Sequence, residues 1–154
     1  PKQFCNLTEV VVRPDDDVIT LTEKVRHASI LGTIQSACIN FTYLDKDWTN
    51  NCSEERLLGV SFTGIYDNKL MSGQEGKAKL RWTLKVLKEV AEEANLEWSS
   101  MLGINPSKSI TCCKPSGTTS CVANTSSGIH PRHSEYYIRR VRVDTKDSIC
   151  LFMS

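Results

Sequence analysis

Two groups of residues in this sequence have the types and spacing to do chemistry. The first is the run 114–120 (KPSGTTS), in which Lys114 and Pro115 lead into Ser116, Gly117, Thr118, Thr119 and Ser120. It follows an apolar segment, 109–113 (SITCC), and puts four hydroxyls beside a glycine. A turn from strand to helix points backbone N–H groups at an anion, and the helix dipole adds to the attraction. Gly117 lets the backbone come close to an oxyanion. The run therefore suits a phosphate, although an ordinary polar loop has the same composition. It is not a Walker loop, because GxxxxGK[ST] is absent and Lys114 precedes the glycine. The second group is Cys5 with Asn6 and Leu7, directly ahead of a strand-like segment. A thiol at a strand end can trade electrons with a partner thiol, whereas a buried cysteine is only a small hydrophobe.

Other candidates are weaker. Asp45, Asp47, Thr49, Asn51 and Ser53 alternate like the ligands of a calcium loop. Position six would then be Asn50 where glycine is needed, and position twelve would be Arg56 where a bidentate glutamate is needed, so calcium is rejected. Cys112, Cys113 and Cys121 flank the 114–120 run, but no CxxC pair has structural-zinc spacing, and no metal is expected. His130 lies within 127–131 (SGIHP) and is expected to shape that loop; acid–base work is the less favoured role. Four N-x-[ST] sequons, at Asn6, Asn40, Asn51 and Asn124, raise a secreted, disulfide-bonded alternative. Seven cysteines is an odd number, and Cys112-Cys113 is a vicinal pair that closes on itself only with strain. A reducing cytoplasm is favoured.

The elements that must position these residues can be read from periodicity. A chain of 154 residues has room for one core of ordinary size. Charged residues make up 24%, and 19 Lys+Arg against 18 Asp+Glu leave a net charge of +1, which points to no nucleic-acid or membrane surface. No apolar run is long enough to span a bilayer as a helix. The segment 9–13 (EVVVR) predicts a buried strand, closed by Pro14. Thr20 and Glu23 form a candidate capping box. Behind it Leu21, Val25, Ala28, Leu31, Ile34, Cys38 and Phe41 make an apolar helical stripe, which Gly32 weakens slightly. Residues 45–55 are expected to be a polar connection. Strands follow at 56–62 (RLLGVSF), 109–113 and 136–143 (YYIRRVRV). Between the first two of these, a long helix is expected over 74–98, with Leu80, Leu84, Leu87, Ala91, Ala94 and Trp98 inward. Helices in connections of this length imply an α/β layout with largely parallel strands.

Five blocks then resemble a known family in order and spacing: 5–10 (CNLTEV), 58–65 (LGVSFTGI), 114–120 (KPSGTTS), 127–131 (SGIHP) and 136–143 (YYIRRVRV). Together they look like the second half of the catalytic barrel of adenosylcobalamin-dependent ribonucleotide reductases, and CNLTEV leans toward the monomeric, triphosphate-reducing branch. The resemblance implies a ten-stranded α/β barrel with its helices outside, of which residues 1–154 are one part, truncated at both ends. It also implies adenosylcobalamin as cofactor, a ribonucleotide as substrate, and thioredoxin or a similar dithiol as reductant. On this resemblance Cys5 matches one of two cysteines that reduce the substrate and become a disulfide. Pro115, Ser116, Gly117, Thr118, Thr119 and Ser120 match the phosphate-holding loop. The partner cysteine and the radical cysteine belong to segments before Pro1, so the isolated chain is expected to be inactive. A phosphate- or nucleotide-binding α/β module with an idle Cys5 is the alternative of a different class.

Overall fold

The computed structural model describes residues 2–138 and 140–153. Its centre is a parallel pair of strands, β1 (Asn6–Val11) and β2 (Leu58–Thr63), with Asn6 opposite Leu58 and Val11 opposite Thr63. Residues 109–112 run along the other edge of β2. There Leu58 N–H donates to Ser109 O at 2.9 Å, Val60 N–H to Ile110 O at 2.9 Å, and Cys112 N–H to Val60 O at 3.1 Å. Val60 and Thr111 form a parallel bridge. The expected α/β layout with parallel strands is present; β1 begins three residues earlier than its apolar run, because Asn6 N–H already donates to Leu57 O at 2.8 Å.

Helix α1 (Val18–Ser36) links β1 to the rest, and its start differs from the expected one. The N-cap is Asp17, with Thr20 as the third helical residue of the capping box: Thr20 N–H donates to Asp17 Oδ1, and Asp17 N–H donates to Thr20 Oγ1, both at 2.9 Å. A carboxylate one turn earlier caps better than the Thr20–Glu23 pair, since it meets the free amides while its own backbone is still extended. The buried face is also rotated from the apolar stripe. Leu21, Val25 and Ala28 are inward, but Ser29, Gly32, Thr33 and Ser36 complete the face, while Leu31 and Ile34 are exposed. Cys38 lies beyond the helix and is exposed, so it does not sit on the apolar face as its spacing predicted.

Helix α2 (Lys46–Glu55) replaces the expected polar connection. Asp45 caps it, and Lys2 Nζ bridges Asp45 Oδ2 at 2.7 Å and Asp47 Oδ2 at 3.0 Å. It ends at Arg56, in the left-handed region at φ 45°, so β2 starts two residues later than expected. The Arg56 guanidinium is buried and donates to Ser36 O at 2.6 Å, closing one C-terminal carbonyl of α1. After a short 3₁₀ turn (Ile65–Asp67) comes α3 (Lys77–Leu102), stopped by left-handed Gly103 at φ 65°.

Helices α1 and α3 pack together and cover one side of the sheet. The core holds Val10, Val12, Leu21, Val25, Leu87 and Ala91. Gly32 is where α1 comes closest to the sheet: a methyl there would stand 2.1 Å from Leu58 Cδ2. Small, hydrogen-bonded side chains fill the α1–α3 contact, with Ser29 Oγ–H donating to Ala91 O at 2.7 Å.

The last expected strand, 136–143, forms none among the described residues. Tyr136, Tyr137, Ile138, Val141 and Val143 are exposed, and Arg139 lies outside the described residues. A strand needs a neighbouring edge to take up its N–H and C=O groups, and no ladder reaches this segment. Among the described residues two short helices follow, α4 (Thr119–Val122) and α5 (Ser148–Met153). No helix among the described residues is long and apolar enough to cross a membrane.

Candidate functional site

The strand pleat divides the two sides of the sheet. Thr8 and Leu58 point at Gly32 of α1, so that side belongs to the helices. Leu7, opposite Gly59, points the other way, and by alternation Cys5 and Glu9 share its side. A methyl on Gly59 would stand 2.5 Å from Leu7 Cδ2, 3.0 Å from Cys112 Sγ and 3.1 Å from Cys5 Sγ. The side turned away from the helices therefore carries Cys5, Glu9 and Cys112, with Gly59 as a gap between the two sulfurs.

The 114–120 loop leans over this same side. Ser116 is buried, and its Oγ–H donates to Glu9 Oε2 at 2.9 Å, a contact spanning 107 positions of sequence. Gly117 is left-handed at φ 58°, which a side chain would resist. Of the four hydroxyls, Ser116 is held by Glu9 and Ser120 donates to Gly117 O at 2.8 Å. Thr118 and Thr119 stay exposed at the tip. No hydrogen bond among the described residues takes up the backbone N–H of Gly117, Thr118, Thr119 or Ser120. The helix after the loop, α4, is a single turn, so the loop amides supply more of any attraction for an anion than a helix dipole does. Pro115 is exposed and turns the chain into the loop.

The 124–132 segment braces the loop from behind. Gly128, left-handed at φ 52°, backs onto it so closely that a methyl would stand 3.1 Å from Lys114 O and 3.3 Å from Ser116 N. Thr63 Oγ1, fully buried at the end of β2, donates to Ser126 O and accepts from Gly128 N–H, both at 3.0 Å. Arg132 makes a two-pronged pair with Asp67, Nε to Oδ1 at 3.0 Å and Nη2 to Oδ2 at 3.2 Å, and Asp67 Oδ2 also accepts from Ser126 N–H at 2.7 Å. The hydrogen bond to Asp67 raises the Arg132 pKa above its ordinary value. The backbone of His130 turns on Ser127 O at 2.8 Å, as expected of a loop-shaping residue.

Among the described residues the cysteines form no disulfide. Cys5 is exposed, and Cys112 is half-buried. Burial pushes the Cys112 thiol above its ordinary range, and the charge of a Cys5 thiolate pushes it further the same way, while Lys114 acts against both. Residue reading of the sequence singled out Cys5 and the loop, but it missed Glu9, Gly59, Gly128 and the place of Cys112. Alternation along CNLTEV (Cys5, Leu7, Glu9) was the one signal that pointed to the Glu9 side chain.

Comparison with curated proteins gives a consistent outcome. The chain is 26% identical to the adenosylcobalamin-dependent ribonucleoside-triphosphate reductase of Lacticaseibacillus paracasei, over 94% of this chain and 22% of that protein. It is 26% identical to the enzyme of the same name from Lactobacillus acidophilus, over 81% of this chain and 20% of that protein. A probable reductase of this kind from Dictyostelium discoideum is 40% identical over 61% of this chain and 12% of its own length. The chain is similar to a segment of the adenosylcobalamin-dependent ribonucleoside-triphosphate reductases. It spans about a fifth of the length of the first two of these reductases. No family model matches the chain, and no solved structure does. The reductase relatives are named for adenosylcobalamin, in keeping with the cofactor expected from the sequence blocks.

Proposed function

We propose that this chain is part of the catalytic barrel of a ribonucleoside-triphosphate reductase, with Cys5 as one of its two reducing thiols and residues 115–120 as its cradle for a substrate phosphate. What supports the reading most is a coincidence. The similarity to reductases covers most of the chain, and the two residue groups with suitable chemistry lie on one side of the sheet, turned away from the helices. In a barrel with its helices outside, that side is the interior.

The chemistry assigned to this chain is modest and balanced. Two thiols lose two electrons and two protons and become a disulfide; the ribose 2′ carbon–oxygen bond breaks and the oxygen leaves as water. Cys5 is one thiol, and its partner belongs to the complete protein. A thioredoxin-like dithiol then exchanges with the disulfide and restores both thiols. The loop holds the anionic end through the amides of residues 117–120 and the hydroxyls of Thr118 and Thr119, which sets the ribose toward Cys5. The pocket bordering Cys5 is about 270 Å³, smaller than pockets for ordinary small ligands. A corrin does not fit this pocket, which opens at the C-terminal end of α1 beside Gln35, Ser36 and Ile39 and not on the side that carries Glu9 and Cys112.

The loop assignment has a direct test. Hydrogen bonds to charged groups contribute about 1.5–3 kcal/mol, so Thr118→Val and Thr119→Val in the complete protein should each raise KM for a ribonucleotide about tenfold or more, with kcat changed less. Binding of the matching nucleoside, which has no phosphate, should be the same for variants and parent. An unchanged KM in both variants would remove the two hydroxyls from the phosphate role and leave only the backbone amides of residues 117–120.

A further inference from the structure

The Cys5 and Cys112 sulfurs share the gap left by Gly59, each about one carbon–sulfur contact from the point where a side chain would stand: 3.0 Å for Cys112 and 3.1 Å for Cys5. Their separation cannot exceed the sum of those two distances. The closeness follows from the fold. Cys5 comes two residues ahead of Leu7, which pairs with Gly59, and Cys112 comes one residue past Thr111, which bridges Val60 on the far edge of β2; the two sulfurs reach toward Gly59 from opposite directions, where no side chain stands. Any larger residue at position 59 would wall the thiols apart.

We infer that Cys112 is a second exchange partner for Cys5: it takes over an oxidised Cys5 by forming a Cys5–Cys112 disulfide, a role separate from the reducing pair proposed above. The inference rests on that proposal for the origin of an oxidised Cys5, and on the Gly59 gap for the exchange. The step is an ordinary thiol–disulfide exchange. When Cys5 is joined to an outside thiol, the Cys112 thiolate attacks Cys5 Sγ, the Cys5–Cys112 bond forms, and the outside thiol leaves as thiolate. A thiol held this close outcompetes dissolved thiols, because the attack is intramolecular.

Two features define how the pair behaves. Cys5 and Cys112 flank β2 and are also offset along it, Cys5 preceding the Leu7–Gly59 pair and Cys112 following the Val60–Thr111 bridge; two strand spacings of about 4.8 Å each already exceed the Cα separation of about 4.4–6.8 Å usual for a disulfide. Closure therefore draws Cys5 inward, which its position ahead of the first ladder bond, Asn6 N–H to Leu57 O, allows. A bond formed with such adjustment is readily reduced again, as suits an exchanging disulfide and not a structural one. Burial also keeps Cys112 protonated to higher pH than an ordinary thiol, so closure should speed up as pH rises through the range where Cys112 ionises.

The test uses the complete protein that contains this chain. It is incubated with glutathione disulfide, quenched with N-ethylmaleimide, digested and mapped by mass spectrometry. The expected product is a peptide pair joined through Cys5 and Cys112. In Cys112→Ala, Cys5 should accumulate as the glutathione mixed disulfide instead. In Gly59→Ala the yield of the joined pair should fall severalfold, and comparing Cys112→Ala with Cys112→Ser guards against a packing artefact. Cys5 found oxidised, but joined to glutathione or to another cysteine in the parent protein, would overturn the exchange role and leave the reductant role standing. Cys5 found fully reduced under oxidation that modifies other exposed cysteines would overturn both.

Discussion

Replacing Cys5 by serine in the complete protein is expected to lower sustained ribonucleotide reduction on the order of a thousandfold or more, while substrate binding changes only severalfold. Serine keeps the size of the side chain and can still make a hydrogen bond, but it cannot give up electrons by joining another sulfur. Cys5 is exposed and lies ahead of the ladder, so the fold places few demands on it. Loss of activity would therefore report chemistry more than folding. Steady-state turnover with a dithiol reductant, beside equilibrium binding of the same nucleotide, separates the two. A variant that sustains many turnovers would exclude the reductant role.

The second large effect concerns the frame. Asn95→Ala is expected to destabilise the chain by about 2–4 kcal/mol, because it removes a buried polar hub and leaves its partners unpaired. Asn95 is 1% exposed; its Nδ2–H groups donate to Thr33 Oγ1 at 2.8 Å and Ser107 Oγ at 2.9 Å, and its Oδ1 accepts from Ser107 N–H at 2.9 Å. One side chain thus ties α1, α3 and the chain entering the 109–112 segment. That segment carries Cys112 and leads into the 114–120 loop, so the frame and the candidate site share this joint. A lowered urea midpoint with an unchanged slope is the expected reading. A midpoint equal to the parent's would show that the hub contributes nothing.

How far the sequence could be read depended on whether a feature is local. The parallel α/β layout, the long α3 and its glycine stop all follow from periodicity and punctuation within one segment. The inner face of α1 does not. Leu31 and Ile34 fit the apolar stripe yet are 62% and 41% exposed, because α1 lies so close to the sheet and α3 that only small side chains fit between them. Ser29, Thr33 and Ser36 can occupy that face because each of their hydroxyls donates to a backbone carbonyl, at 2.7 Å in every case. Helix α2 was hidden for a different reason. Its sequence, KDWTNNCSEE, buries only Cys52, so it has no apolar rhythm, and only Asp45 marked its start.

The site divides in the same way. Cys5 and the 114–120 run could be recognised from residue type and from family blocks, each being a short stretch. The Ser116–Glu9 bond and the nearness of Cys5 to Cys112 depend on strand register and on segments about a hundred positions apart. Composition and spacing carry no record of such a pairing. The 136–143 block shows the opposite limit: its pattern suits a strand, but a strand exists only where an edge receives it.

In the proposed function, Cys5 gives electrons to a nucleotide held by the 114–120 loop. A single turnover of the complete protein without external reductant tests it most directly, with quenching by N-ethylmaleimide and mapping of every cysteine. Cys5 is expected to become protected from alkylation as part of a disulfide, in proportion to the deoxyribonucleotide formed. Deoxyribonucleotide formed while Cys5 is still fully alkylated would contradict it.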